Sequence, residues 1–466
     1  MAGVGLELQR LSRRPSYLTV LRVFGYSLAL SVGPWLATIF AVAFVSIIGL
    51  RWLGLPDMVF FTSTVMYVFA GSLVATGPLF MIFSRYLADR GFHGRLDQRR
   101  ALIFVEWIVV PASLAAGAAA VAYFLPSRLG NSLLYQAAVD VLFASLTGLW
   151  CVLAYLDFQK RYAVSFYVFT GGCAGSALFA FVLKGHGLDG LMAGYAGGFL
   201  VAFVLLFFLA LKRPEKAGVP DTFQPLALLS YARDFAPLAW IGLLYNLGTW
   251  IDKFVLWKMA GHVVPGSQLR IFPPYDISTF LSYLIMMPGI SYFLVMVETR
   301  FYFDYRAYLD DLEQSSLRAV DERRTELWRN LKRQMNNLFE LELVTGLLGL
   351  IIGGFFLQRL GLEDATLRIF RVLIGAAFFQ VLFWIHLILL LYFEFRAQAV
   401  AMAALFLASN AAFTWLNAAR WAGFGYGWGY LASIALCTAA SWWMLRGGIR
   451  NLNRHIFFIN SNAKAR

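Results

Sequence analysis

Apolar stretches long enough to cross a bilayer recur twelve times in this chain, at about 23–50, 59–83, 101–124, 134–156, 163–183, 190–211, 237–257, 279–297, 341–357, 369–392, 399–418 and 428–445. A helix needs about 20 mostly apolar residues to span about 30 Å of hydrocarbon. Inside lipid every backbone polar group must be satisfied within the segment, so runs of this length are expected to be helices. The expected fold is an all-α membrane protein with about twelve transmembrane helices. Composition agrees: 60% of residues are hydrophobic, 14% are charged and the mean hydropathy is +0.67, against roughly 25% charged residues in a soluble domain.

Basic residues set the expected orientation. Seven alternate connections (1–22, 84–100, 157–162, 212–235, 298–334, 394–398 and 446–466) hold 29 of the 39 Lys and Arg, and the six opposite ones hold 9. By the positive-inside rule the first set, and with it both termini, is cytoplasmic. The net charge of +13 then reflects topology and anionic headgroups rather than a nucleic-acid partner. The first apolar run is far longer than a signal-peptide core, so an uncleaved anchor is expected. Cys151, Cys173 and Cys437 fall within spans and read as packing residues. His93, His186, His262, His386 and His455 have no metal-ligand spacing, and no phosphate-cradling loop occurs. No metal, cofactor or ATPase activity is expected.

Six spans before and six after the stretch 212–236 suggest a parallel duplication. The expected domains are an N-terminal six-helix lobe (1–211), a cytoplasmic linker (212–236), a C-terminal six-helix lobe (237–445) and a basic tail (446–466). Gly33-Pro34, Gly77-Pro78 and Pro288-Gly289 interrupt three spans nearer their cytoplasmic ends, where proline frees backbone carbonyls. Each is a candidate hinge, with a packing kink as the alternative.

The seventh span, "YNLGTWIDKFVLWKM", keeps Asp252 and Lys253 inside an apolar run. At 3.6 residues per turn Asn246, Trp250, Lys253 and Trp257 share one stripe, with Tyr245, Thr249 and Asp252 on the next. Adjacent residues point about 100° apart, so the two charges are not expected to pair with each other on the helix surface. A charge at mid-bilayer costs about 2.5–3.5 kcal/mol. Lining a watery route would remove most of that cost; snorkelling to the surface or a structural ion pair is the alternative. The first span repeats the stripe without charge in Ser27, Ser31, Trp35 and Thr38. Glu106 and Asp140 are further intramembrane acids, each alternatively interfacial, with His386 and Asn410 as other polar insertions. Trp35, Trp250 and Trp257 share stripes with hydrogen-bonding groups, and flat aromatic faces beside such groups suit sugar rings.

Residues 298–339 read as a solvated helix pair, with eight acidic and eight basic residues between Glu298 and Arg333. Leu317, Val320, Leu327, Leu331, Met335 and Leu338 recur at helical spacing. This stripe either docks a partner protein or packs on its own helices. The Pro-rich connection 260–278 is placed outside, where it could cap an exit.

The start "MAGVGLEL", the segment "NLGTWIDKFVLW" and the run "FPPYDISTFLSYLIMMPGISYFLVMVETRFY" resemble the PelG family, the integral-membrane transporter subunits of bacterial Pel exopolysaccharide secretion, within the polysaccharide branch of the MOP flippase superfamily. The resemblance runs along nearly the whole chain. It implies two six-helix lobes around a central cavity and movement of an N-acetylhexosamine polymer across the inner membrane. It also implies three partners: a cytosolic glycosyltransferase, a cyclic di-GMP-sensing membrane subunit and a further membrane scaffold subunit. The rival reading is a MATE-like ion-coupled exporter of small molecules or lipid-linked oligosaccharides, with Asp252 or Glu106 binding the ion. A membrane transferase would need an acid or His at the outer surface, and the first outer loop offers only Asp57. A scaffold without transport is the last alternative.

Overall fold

The computed structural model describes residues 17–92, 98–127, 130–212, 225–359, 361–421 and 425–457. The expectations placed on 1–16, on His93, on most of the linker and on the end of the tail lie outside the described residues.

Among the described residues these α-helices follow one another: α1 (Tyr17–Leu50), α2 (Leu55–Phe92), α3 (Gln98–Phe124), α4 (Leu133–Phe158), α5 (Tyr162–Val182), α6 (Gly187–Leu211), α7 (Pro225–Asp234), α8 (Ala236–Met259), α9 (Pro273–Tyr283), α10 (Met287–Met296), α11 (Tyr302–Gln314), α12 (Leu317–Leu348), α13 (Gly354–Arg359), α14 (Asp364–Tyr392), α15 (Arg396–Arg420) and α16 (Trp428–Arg450), and residues 452–457 are again helical. Every expected span coincides with helix. Nine segments of the described residues are long and apolar enough to cross a membrane, and one of them, Tyr162–Leu211, holds both α5 and α6. Helices α8 and α16 also stand where spans were expected, but they are less apolar. Asn246, Asp252, Lys253 and Lys258 dilute α8, and Ser, Gly and two arginines dilute α16.

The described residues group into two compact units. One takes those of 32–250 and 256–272, the other those of 1–31, 251–255 and 273–466. In the first unit α4 is the hub, packed against α2, α3 and α6, and α5 packs on α6. Helices α2 and α8 cross at Gly77 and Gly242, where a Cβ on Gly242 would stand 2.2 Å from the Gly77 carbonyl oxygen. Helix α7 is fastened to the end of α2: Tyr231 donates to Asp89, which also accepts from Arg85 at 3.0 Å. Burial and the Asp89 carboxylate push the Tyr231 phenol up. The connection after α8 forms a hairpin of β1 (His262–Val263) and β2 (Arg270–Ile271), paired His262 to Ile271 and Val263 to Arg270. Asn131 donates to Gly266 O at 2.7 Å, and the Gln268 N–H donates to Phe124 O at 2.8 Å. The hairpin therefore covers the end of α3 and the start of α4.

In the second unit α14 packs on α9 and α16, and α15 packs on α16. The eighth expected span is irregular: a 3₁₀ turn (Leu284–Met286) separates α9 from α10, and a π segment (Val297–Phe301) follows. Pro288 sits in the first turn of α10, where its missing N–H removes nothing from the ladder. Helices α11 and α12 form the expected helix pair, joined at Ser315 and Ser316, with the Ser316 hydroxyl capping α12. The pair has no break at 339; α12 continues into the next span. Three of the four proposed docking residues, Val320, Leu327 and Leu331, are buried within the chain, and only Leu317 is exposed. The stripe packs on its own helices because α11 and the residues that follow α16 already cover it: Tyr308 donates to Asn453 at 2.7 Å, and Asn453 donates to Asp321 at 2.9 Å.

At the helix-pair turn Arg323 donates to Asp311 at 2.8 Å, and Ser315 donates to it at 3.0 Å. The Arg323 hydrogen bond, then that of Ser315, holds the Asp311 carboxyl below its usual range. A carboxyl lowered by folding stabilises the fold fully above its unfolded value of about 3.9, and that contribution is lost as pH falls through the lowered folded value. A fluorophore on Gln314→Cys is expected to gain mobility only below about pH 4. In Arg323→Gln that transition moves up toward the ordinary carboxylate range; an unchanged midpoint would show that the pair does not hold the turn.

Candidate functional site

Helix α8 carries the cluster. Asp252 and Lys253 are both buried, at 0% and 6% exposure. Neither snorkels, and neither stands open to a watery route. Lys253 Nζ lies 3.3 Å from Asp252 Oδ2, so the two charges pair with each other, contrary to the expectation from helical spacing. The physical reason is reach: the Cβ vectors diverge, but four methylenes let the lysine fold back, and burial rewards the nearest opposite charge. The second partner comes from α9, where Tyr275 donates its hydroxyl to Asp252 Oδ2 at 2.6 Å. This charge-assisted bond leaves the carboxylate accepting from two donors.

The cluster continues through tyrosines. Lys253 Nζ stands 5.7 Å from the centre of the Tyr283 ring. The Tyr283 and Tyr430 hydroxyls are 3.2 Å apart, and Tyr430 donates to Gln380 Oε1 at 2.9 Å. A hydroxyl has one proton, so Tyr430 accepts from Tyr283 while donating to Gln380. Helices α8, α9, α16 and α14 thus share one polar line inside a single unit. Sequence reasoning missed Tyr275, Tyr283, Gln380 and Tyr430.

The other candidates on α8 lie in the first unit. Tyr245, Asn246, Thr249 and Trp250 are half-buried. Asn246 Nδ2 donates to Gly242 O at 2.9 Å, and Thr249 donates to Asn246 O at 2.7 Å. Trp257 is buried and stacks on Tyr67 with ring centres 4.6 Å apart, which makes it a packing residue rather than a path-lining one. Ser31 and Trp35 lie on α1, but their side chains are outside the described residues. Gly33 packs against the Phe166 ring, and Pro34 lies inside α1 with its carbonyl accepting from Thr38 at 3.1 Å. Pro78 lies within α2, which runs on without a break.

Three acids stand apart. Glu106 on α3 is 5% exposed, and neither oxygen has a hydrogen-bond partner; it faces Gly148 of α4. Asp140 is half-buried on α4, with Oδ1 against Gly117 and unbonded. Glu342 on α12, which sequence reasoning passed over, is 0% exposed; both its oxygens lack a hydrogen bond of ordinary geometry, and its carboxylate lies against Gly289. His386 is a core residue whose Nδ1 lies 2.9 Å from Ser441 Oγ. Among the described residues no three His, Cys, Asp or Glu side chains gather as a metal site.

Solved structures are similar to this chain in fold. An outward-facing multidrug resistance MATE family transporter of the MOP superfamily is 12% identical, with a TM-score of 0.65, over 97% of this chain and 99% of its own. A MOP superfamily transporter from Pyrococcus furiosus is 13% identical, with a TM-score of 0.65 and the same coverage. The Vibrio cholerae MATE transporter VcmN in its bent form is 13% identical, with a TM-score of 0.60, over 97% of this chain and 98% of its own. No curated protein matches the chain. The chain belongs to the PelG family, described as "Putative exopolysaccharide Exporter (EPS-E)", whose pattern matches residues 1–457.

Proposed function

We propose that this protein moves a Pel-type N-acetylhexosamine polymer across the bacterial inner membrane, with both termini in the cytoplasm. One observation carries the reading: Asp252 and Lys253 are internally paired, whereas the half-buried groups beside them on α8 are a phenol, an amide, a hydroxyl and an indole. Such a face suits neutral sugar hydroxyls and acetamides through hydrogen bonds and ring stacking. It does not suit a small cation at Asp252, whose oxygens are already engaged. Asn246 and Trp250 are proposed as substrate contacts, with Tyr245 and Thr249 beside them. The Asp252–Lys253–Tyr275 cluster fixes the position of that stretch of α8. Replacement of Trp250 by Ala is expected to lower exported polymer about fivefold at matched membrane protein level, a stacked ring contributing about 1 kcal/mol. Undiminished export would remove the face from the path.

The proposed partners are a glycosyltransferase on the cytosolic side, a cyclic di-GMP-sensing membrane subunit and a membrane scaffold subunit. Chain elongation by the first would supply the push. Purification in mild detergent without any glycosyltransferase attached would count against this arrangement.

A second reading, ion-coupled export, is favoured by Glu106, a buried carboxylate without a hydrogen-bond partner, and by Glu342, buried with its carboxylate against the Gly289 backbone. Such groups mark ion or proton sites in membrane helices. Substrate uptake into proteoliposomes driven by a sodium or pH gradient, and lost in Glu342→Gln, would select it.

A further inference from the structure

The last two turns of α16 present Trp443, Arg446, Gly447 and Arg450 at i, i+3, i+4 and i+7, which is one face of a helix. That face borders a cleft of about 420 Å³, lined also by Met444, by Gly448 and, from the first turn of α15, by Gln398. No carboxylate lines it, and neither guanidinium makes an ion pair with a described carboxylate. Gly447 has no neighbour within 4 Å of the position a Cβ would take, so the cleft is open directly between the two arginines.

Its depth along the helix is that of a headgroup layer. Helix α16 has 23 residues and is about 34 Å long at 1.5 Å per residue, slightly more than the hydrocarbon thickness of about 30 Å. Exposed tryptophans mark its two ends, Trp428 at the start and Trp443, 74% exposed, about 22 Å further on. Arg446 and Arg450 follow Trp443 by about 5 and 10 Å. A soluble anion needs no apolar floor beneath its charge. A phospholipid offers an anion with acyl chains below it, matching guanidinium groups above an exposed indole and a methionine. Guanidinium groups also bind phosphate oxygens in a bidentate manner.

We propose that this cleft binds the phosphate of an anionic phospholipid, with Arg446 and Arg450 on the headgroup and Trp443 against the glycerol and upper acyl chain. The site is independent of what the protein exports.

The test is native mass spectrometry of the full chain in mild detergent, titrated with phosphatidylglycerol or phosphatidylcholine. The wild-type chain is expected to retain phosphatidylglycerol about thirtyfold better, from two basic residues at the surface. Arg446→Gln/Arg450→Gln is expected to abolish that preference. Gly447→Leu is expected to abolish it too, by filling the cleft with both charges kept; its open surroundings and better helix propensity favour folding. Arg318→Gln/Arg329→Gln, exposed arginines on α12, should leave the preference intact. Equal retention of the two lipids by the wild type would overturn the proposal. So would full retention in Gly447→Leu, or complete displacement by millimolar inorganic phosphate, which would make the cleft a free-anion site.

Discussion

Asp252→Asn is expected to destabilise the protein by about 3–5 kcal/mol, the usual loss when one member of a buried ion pair is removed and the other stays behind. Asp252 is fully buried and Lys253 nearly so, which keeps solvent from screening the loss. Asparagine keeps the shape and one acceptor for the Tyr275 hydroxyl but takes the charge from beside Lys253 Nζ, 3.3 Å away. In a thermal unfolding scan in detergent this corresponds to a midpoint lower by on the order of 5–10 °C. Lys253→Met alone should be harmful as well, since it strands the carboxylate with Tyr275 as its partner. The double variant Asp252→Asn/Lys253→Met is expected to lose less than the two singles added together, because no uncompensated charge remains. Strict additivity would mean that the two groups act separately and that the ion pair does not organise α8.

The comparison separates two roles that export assays alone would merge. If the pair only shapes α8, the double variant should recover export together with stability. If either charge touches the polymer, export stays low although the melting point returns. Trp250→Ala provides the reference for the opposite case, lost export with little change in stability.

The helical spans were legible because apolar length is a local property of the chain, and the two charges of α8 were legible because they interrupt it. Their partners were not. Tyr275 is 23 residues from Asp252 and reaches it only because the β1–β2 hairpin turns α9 back beside α8. Tyr283 and Tyr430 are two of 21 tyrosines, and nothing in their sequence neighbourhoods marks them as a pair. Glu342 was hidden by its surroundings in "FELELV", which reads as the margin of a solvated helix, although α12 carries it unbroken into a buried position. The helix-pair stripe shows the converse limit. Periodicity identified an apolar face correctly, but whether that face meets a partner or the chain's own helices is decided by tertiary packing, and here α11 and the residues that follow α16 cover it. The hinge proposed at Gly77 also has a second character, since its lack of a side chain is what lets α8 come close.

That contact sets the second large effect. Alanine in place of an interior helical glycine ordinarily stabilises by up to about 1 kcal/mol, and Gly171→Ala on α5, with nothing within 4 Å of the new methyl, should follow that rule. Gly242→Ala is expected to do the reverse. Its Cβ would stand 2.2 Å from the Gly77 carbonyl oxygen and 3.0 Å from the Pro78 nitrogen. These are backbone atoms, which no rotamer change can move aside. Helices α2 and α8 would have to separate by roughly an ångström, and membrane helices, which lack a hydrophobic drive to associate, depend on close backbone approach for their packing. Overpacking of this kind costs about 1–3 kcal/mol or more. Gly242→Leu, with three further carbons at the crossing, is expected to remove folded protein from the membrane altogether, as read by size-exclusion profile and protease resistance. The partner change Gly77→Ala should behave like Gly242→Ala, because it meets the Gly242 carbonyl oxygen at 2.7 Å and Asn246 Nδ2 at 2.3 Å. Should Gly242→Ala and Gly171→Ala raise the melting point equally, α2 and α8 cannot cross at these two glycines. The placement of Asn246, whose amide is anchored to Gly242 O, would then fall with the crossing.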